Sequence, residues 1–211
     1  MDRPSGQQTR GQLLNAATEL IAERGWGRVT TRAVAERAGL PHGAVSYHFA
    51  GKQALLTEAA LDLVGRSFPI EQLRAVGGLD GLVMLMRGWA AGSSPIDQMG
   101  AAVLMEAMRE AGRDATVRDQ LVGLLVAYRQ AVAGLVRADQ DRGAVRRGVE
   151  PAGLATLLAA LGDGLLLHAM LDPAVDLAGA IEALGALLQR SSPLGGGLGR
   201  GRVTGGSRGR R

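Results

Sequence analysis

Apolar residues recur at spacings of three and four along nearly the whole chain, and no stretch alternates with period two. The cleanest stripe is Val117, Leu121, Leu124, Leu125, Tyr128, Val132, Leu135 and Val136, which the charged RADQDRG (137–143) closes. Leu13, Leu14, Ala17, Leu20 and Ile21 form another. It follows the capping-box pattern Thr9-x-x-Gln12 and ends at Gly25. TTRAVAERAG (30–39) predicts a short helix capped by Thr30, with Val34 and Ala35 inward and Gly39 as its stop. HGAVSYHF (42–49) predicts a second short helix after Pro41, and Lys52 opens a longer one through Leu55, Leu56, Ala59, Leu61 and Val64. Beyond residue 65 the pattern predicts longer helices: one through Leu82, Leu85 and Trp89, one over 96–111, one from Pro151 to Leu171 and one over about 175–190. The expected fold is all-α.

Two short helices joined by a glycine-containing turn, inside a three-helix unit, make a helix-turn-helix. The pattern divides the chain into a disordered start (1–8), a helix-turn-helix domain (9–64), a larger helical domain (65–190) and a glycine- and arginine-rich tail (191–211). The run at 154–171 has the length of a membrane span, but Asp163 breaks it between Gly162 and Gly164. A helix buried on two sides, by its own core and by a partner subunit, explains it better, and no membrane partner is expected. The polar start MDRPSGQQTRGQ has no apolar leader, so the expected location is cytoplasmic.

Composition narrows the chemistry. Among 211 residues there is no cysteine, which removes disulfides, thiolate metal sites and cysteine nucleophiles. His42, His48 and His168 are too scattered for a histidine-built metal site. Paired carboxylates with a matching base are missing, as is a phosphate-binding glycine loop, so neither enzyme activity, nor a metal, nor a cofactor is expected. The net charge of +4 looks like a nucleic-acid signal until it is divided: residues 1–64 carry +1, 65–190 carry −2, and 191–211 carry +5. The bulk charge belongs to the tail, either as loose phosphate contact or as an end without function. Lys52 is the only lysine beside 23 arginines, and it falls next to the helix-turn-helix.

The segment TTRAVAERAGLPHGAVSYHFAGKQALL (30–56), with a helix from Arg10 to Gly25 before it, resembles the TetR family of bacterial transcriptional regulators. Thr31, Ala35, Gly39, Gly43, Tyr47, His48, Phe49, Lys52 and Leu55 carry the resemblance, in order and at fixed spacing. It implies an all-helical homodimer that binds double-stranded operator DNA, with a C-terminal domain for dimerisation and effector binding. It also implies a repressor or, alternatively, an activator. A helical small-molecule binder without operator specificity is the rival from another class.

The residues suit such a role. Gly43 and Ala44 give the short side chains that let a helix backbone approach base edges. His42 and Ser46 can reach a base or phosphate, and Tyr47, His48 and Lys52 carry polar tips suited to phosphate. His48 could equally cap a helix end. Thr31 lies at a helix N-terminus, where free N–H groups attract phosphate. By resemblance, Arg32 is the candidate for guanine contact. Pro41, Ser46 and Gly51 depart from the family pattern, which bears on the operator sequence more than on DNA binding itself.

In the C-terminal part, Met84, Met86, Trp89, Met99, Met105, Met108 and Tyr128 are candidates for an effector pocket, since thioethers adapt to irregular apolar ligands. Core packing is the competing role for each. The scarcity of charge among them points to an apolar or aromatic effector. Leu158, Leu161, Leu165, His168, Ile181, Leu184 and Leu188 are the candidate dimer residues. Asp163 and His168 are about 140° apart on a helix and do not face each other, so each reads as an interface residue or a polar anchor for a ligand.

Overall fold

Ser5 caps the first helix by accepting the Gln8 N–H, while the Ser5 N–H donates to the Gln8 side chain at 2.8 Å. This capping box lies one turn before Thr9 and Gln12, so the first helix starts at Gly6, and residues 5–8 are not a disordered lead as expected from the sequence. The computed structural model describes residues 5–67, 70–92 and 98–189. The predicted tail (191–211) lies outside the described residues, as do residues 1–4.

Among the described residues the chain is helical and has no strand. The helices are α1 (Gly6–Arg24), α2 (Thr31–Arg37), α3 (Gly43–His48), α4 (Lys52–Ser67), α5 (Ile70–Ala75), α6 (Leu79–Ala90), α7 (Gln98–Ala111), α8 (Ala115–Asp141), α9 (Pro151–Leu171) and α10 (Leu177–Gln189). The sequence pattern missed α5 and a 3-10 turn at Trp26–Arg28; both are too short for a 3.6-residue period to declare itself. It also closed α8 too early: the RADQD stretch stays helical because Asp139 turns inward.

Local chemistry sets the ends. Thr30 accepts the Ala33 N–H at 3.1 Å and starts α2. Gly39 then takes φ +67, a left-handed conformation that ends α2 and turns the chain toward α3. Asp114 caps α8, and Glu150 caps α9 with Pro151 in the first turn. Helix α6 has no cap from its own sequence. Instead, Asp139 of α8 accepts the Leu79 N–H at 2.8 Å and pairs with Arg142.

Most of the buried apolar residues fall into two clusters. The first joins α1, α2, α3 and α4 through Leu13, Trp26, Val34, Val45, Phe49 and Leu55. It continues without a break into Val103, Leu104 and Ala107 of α7, Val117 and Leu121 of α8, and Leu166 of α9. The second holds Leu73, Leu79, Leu82, Val132, Leu135, Val136, Ala155 and Leu158. The core of the helix-turn-helix is therefore shared with α7, α8 and α9.

Candidate DNA-reading head and effector domain

The helix-turn-helix presents its predicted residues as a surface. Helix α3 buries Val45, with Phe49 buried just after its end, and keeps His42, Gly43, Ser46 and Tyr47 exposed. Tyr47 is 85% exposed, a large aromatic left in solvent with its ring edge-on to His48 at 4.9 Å. Ala44 and His48 are half-buried, as is Thr31 at the start of α2. No side chain caps α3, whose N-cap residue His42 follows Pro41. The Ser46 hydroxyl donates to the Gly43 carbonyl at 3.0 Å.

Two basic residues have partners that the sequence did not suggest. Arg32 donates to Glu36 Oε1 at 2.9 Å across one turn of α2, and this same pair lowers the Glu36 pKa. Both side chains are solvated, so the bond holds the guanidinium loosely. Lys52 Nζ donates to the Gly27 carbonyl at 3.0 Å and ties α4 to the turn after α1. Arg37 grips Glu23 through two bonds and Glu19 through one, fixing α2 against α1.

The reading head joins the C-terminal domain through polar bonds as well as through the shared core. The Trp26 N–H donates to Glu106 Oε2 of α7 at 2.6 Å. Gln53 of α4 accepts from the Trp26 indole and donates to Glu110 and Asp114. The Arg109 guanidinium, followed by the Trp26 N–H, holds the Glu106 carboxyl below its ordinary pKa. Sequence reasoning missed this network because the partners are 27 to 80 positions apart.

The predicted effector residues divide. Trp89 and Met105 lean on the first core, Met86 and Tyr128 on the second, and Met99 is half-buried. Met84 and Met108 do not join them: Met84 is 67% exposed and Met108 also faces solvent. Helical phase decides this, because Leu82 and Val83 take the inward side of α6. The predicted dimer residues divide too. Leu158 and Ile181 are buried within the subunit, and Leu184 and Leu188 pack against the second core. Leu161 and His168 are exposed, whereas Leu165 is half-buried. They share the outward face of α9 with Leu157 and Leu171, while Ala155, Leu158, Ala159 and Leu166 take the opposite face. Leu157, Leu171 and Leu187 are exposed leucines that the sequence reading did not select.

Both α8 and α9 are long and apolar enough, by length and composition, to cross a membrane. Each gives one face to the subunit's own cores. Among the described residues no group of His, Asp and Glu is arranged to hold a metal ion.

An exposed short helix held by a three-helix core, joined to a larger helical domain with an uncovered apolar face, is the build of a helix-turn-helix transcriptional regulator. Residues 13–59 match the model for bacterial regulatory proteins of the tetR family, and residues 93–192 match that for the C-terminal domain of BetI-type transcriptional repressors. The chain belongs to the TetR family of DNA-binding transcriptional regulators. It is 27% identical over 165 residues to the transcriptional repressor AcnR of Corynebacterium glutamicum, covering 78% of this chain and 82% of that one. The regulator SCO7518 of Streptomyces coelicolor superposes with a TM-score of 0.66 at 27% identity, over 87% of this chain and 99% of that one. The SmeT–triclosan complex superposes with a TM-score of 0.71 at 23% identity, over 85% and 90% of the two chains. A Saccharomonospora viridis regulator in complex with choline gives 0.70 at 22% identity, over 87% and 97%. At these last identities the likeness is one of fold.

Proposed function

We propose that this protein is a cytoplasmic homodimeric repressor that occupies a palindromic operator and leaves it when a small molecule binds the C-terminal domain. Each subunit places α3 in a major groove, with Gly43 and Ala44 allowing close approach. Tyr47, His48, Thr31 and Lys52 contact phosphate, while Arg32, His42 and Ser46 reach base edges. The outward face of α9, with Leu157 and Leu161, packs against its copy in the partner together with α10. The observation that carries the reading is Tyr47: a ring 85% exposed beside the half-buried His48, while Phe49, just after the helix, is core.

Effector release fits the same frame. Helix α7 packs Met105 against the first core, which the two domains share, and, one residue on, offers Glu106 to the reading head. A ligand that shifts α7 therefore moves the head and the spacing between the two copies of α3. Triclosan and choline, bound by two proteins of the same fold, support a small-molecule effector without deciding its class.

The test is footprinting on the DNA that flanks the protein's own gene. A protected palindrome, with half-sites about one helical turn or a multiple apart, is expected. Binding that shows no sequence preference on that DNA overturns the reading.

A further inference from the structure

Helix α3 has six residues, too few to keep a helical shape by themselves, and no side chain caps its start. Two apolar side chains seat it in the first core: Val45 within the helix and Phe49 just after its end. Tyr47 and His48 occupy its last turn, directly before Phe49, so the seat of that ring sets their position.

Arg10 of α1 reaches that seat. Its guanidinium carbon stands over the Phe49 ring, 5.0 Å from the centroid, and its Nη2 pairs with the Glu58 carboxylate of α4. Arg10 and Glu58 are both half-buried. The Phe49 ring in turn lies 6.5 Å from that of His48, which meets Tyr47 edge-on. The first turn of α1 faces the same place: a Cβ added at Gly6 would stand 3.9 Å from His48 Cε1. Glu58, Arg10, Phe49, His48 and Tyr47 thus form one line of contacts from α4, across α1, to the end of α3. A guanidinium suits the middle of that line, because its plane can lie on a ring while its N–H groups hold a carboxylate.

We propose that Arg10 is a positioning residue for operator recognition: held by Glu58, it fixes the Phe49 ring and through it the last turn of α3, without itself touching DNA. This rests on the reading in which α3 enters the major groove, and it adds to that reading a residue of α1. With the ring unheld, the turn that carries Tyr47 and His48 has more positions open to it, and docking must then order it at a cost in affinity. Sequence-specific binding depends on that placement, because phosphate contacts set the register of the bases. Non-specific binding follows the overall charge and tolerates its loss.

The experiment uses the full-length protein and two labelled duplexes: the palindrome protected in footprinting, and a scrambled duplex of the same length and composition. The paired variant Arg10→Met with Glu58→Gln removes both charges and leaves the net charge unchanged. It is expected to bind the palindrome about fivefold more weakly and the scrambled duplex as the wild type does, with the same salt slope. Arg10→Lys, which keeps a cation for the ring and for Glu58, should recover part of the loss. Glu58→Gln alone should lower the ratio of palindrome to scrambled affinity. If Arg10 were a phosphate contact, that same change would free it and tighten both complexes. Tighter binding to both duplexes in Glu58→Gln, or an equal loss on both with a shallower salt slope in the paired variant, overturns the proposal. So does a paired variant that melts lower yet, while still folded, binds the palindrome like the wild type, since the stack then serves stability alone. If footprinting protects no palindrome, the regulator reading falls and takes the proposal with it. A protected palindrome with an unchanged affinity ratio sinks the role of Arg10 alone.

Discussion

The main-chain N–H of Trp26, just after α1, donates to the Glu106 carboxylate of α7 at 2.6 Å, and this bond joins the helix-turn-helix to the C-terminal helices. Gly25 is what allows it. Its φ of +76 with ψ of 153 is open to glycine, and an added Cβ would stand 3.1 Å from Glu106 Oε2. Trp26 itself is buried, so its N–H has no solvent to fall back on.

Glu106→Ala is expected to cost about 1 to 3 kcal/mol, because a buried N–H loses its acceptor. It is also expected to blunt effector-induced release while leaving unliganded operator binding near wild type. Chemical denaturation and an operator-release titration measure the two. Full release by effector in this variant would show that the coupling runs elsewhere.

The same contact is sensitive to acid. In the folded protein Glu106 lies below the ordinary value of 4.5, so its contribution is present above about that pH. It is lost as pH falls through the lowered folded value. Melting curves of wild type and Glu106→Gln, taken from pH 7 downward, should converge below about pH 4.5 as the wild-type carboxylate is protonated. A constant gap would assign the difference to packing.

Asp139 is buried and fixes the start of α6 while pairing with Arg142. A Cβ at Gly78 would run into both of those side chains. Gly78→Ala and Asp139→Ala should each lower stability by about 2 to 4 kcal/mol, through a clash and through an abandoned N–H and guanidinium respectively. Their effects should not add, since both act on one contact, and a double-mutant cycle by urea unfolding reads this out.

Tyr47→Ala should leave the melting temperature within about a degree and weaken operator binding, because a fully solvated ring contributes little to stability. Glu36→Gln should strengthen it a few-fold, because it frees the Arg32 guanidinium and removes a negative charge from the DNA-facing side. Fluorescence anisotropy with a labelled operator distinguishes these outcomes. A weaker Glu36→Gln complex would mean that the carboxylate orients Arg32 for its base.

Leu157→Arg with Leu161→Arg places two charges on the outward stripe of α9. Sedimentation should then show monomer, and half-site affinity should replace full-site affinity, with stability little changed in the monomer itself. A dimer that persists would place the interface on another face.

Much of this could be read from residue order alone. Local rules that act within a few residues determined the all-helical class, the Thr30 cap, the Gly39 turn and the Pro151 start of α9. The spacing from Thr31 to Leu55 was enough to identify the reading head, because each of those residues serves a turn or a helix face. Apolar runs that are apolar all round carry no phase. Leu157 and Leu158 are equivalent in the sequence, and only the packing of α8 against α9 turned one outward and the other into the core. The methionines divided for the same reason. Tertiary structure also supplied the Glu106–Trp26 bond and the Asp139 cap on α6. Charges far apart in sequence meet only when helices dock, and periodicity does not record which helices will be neighbours.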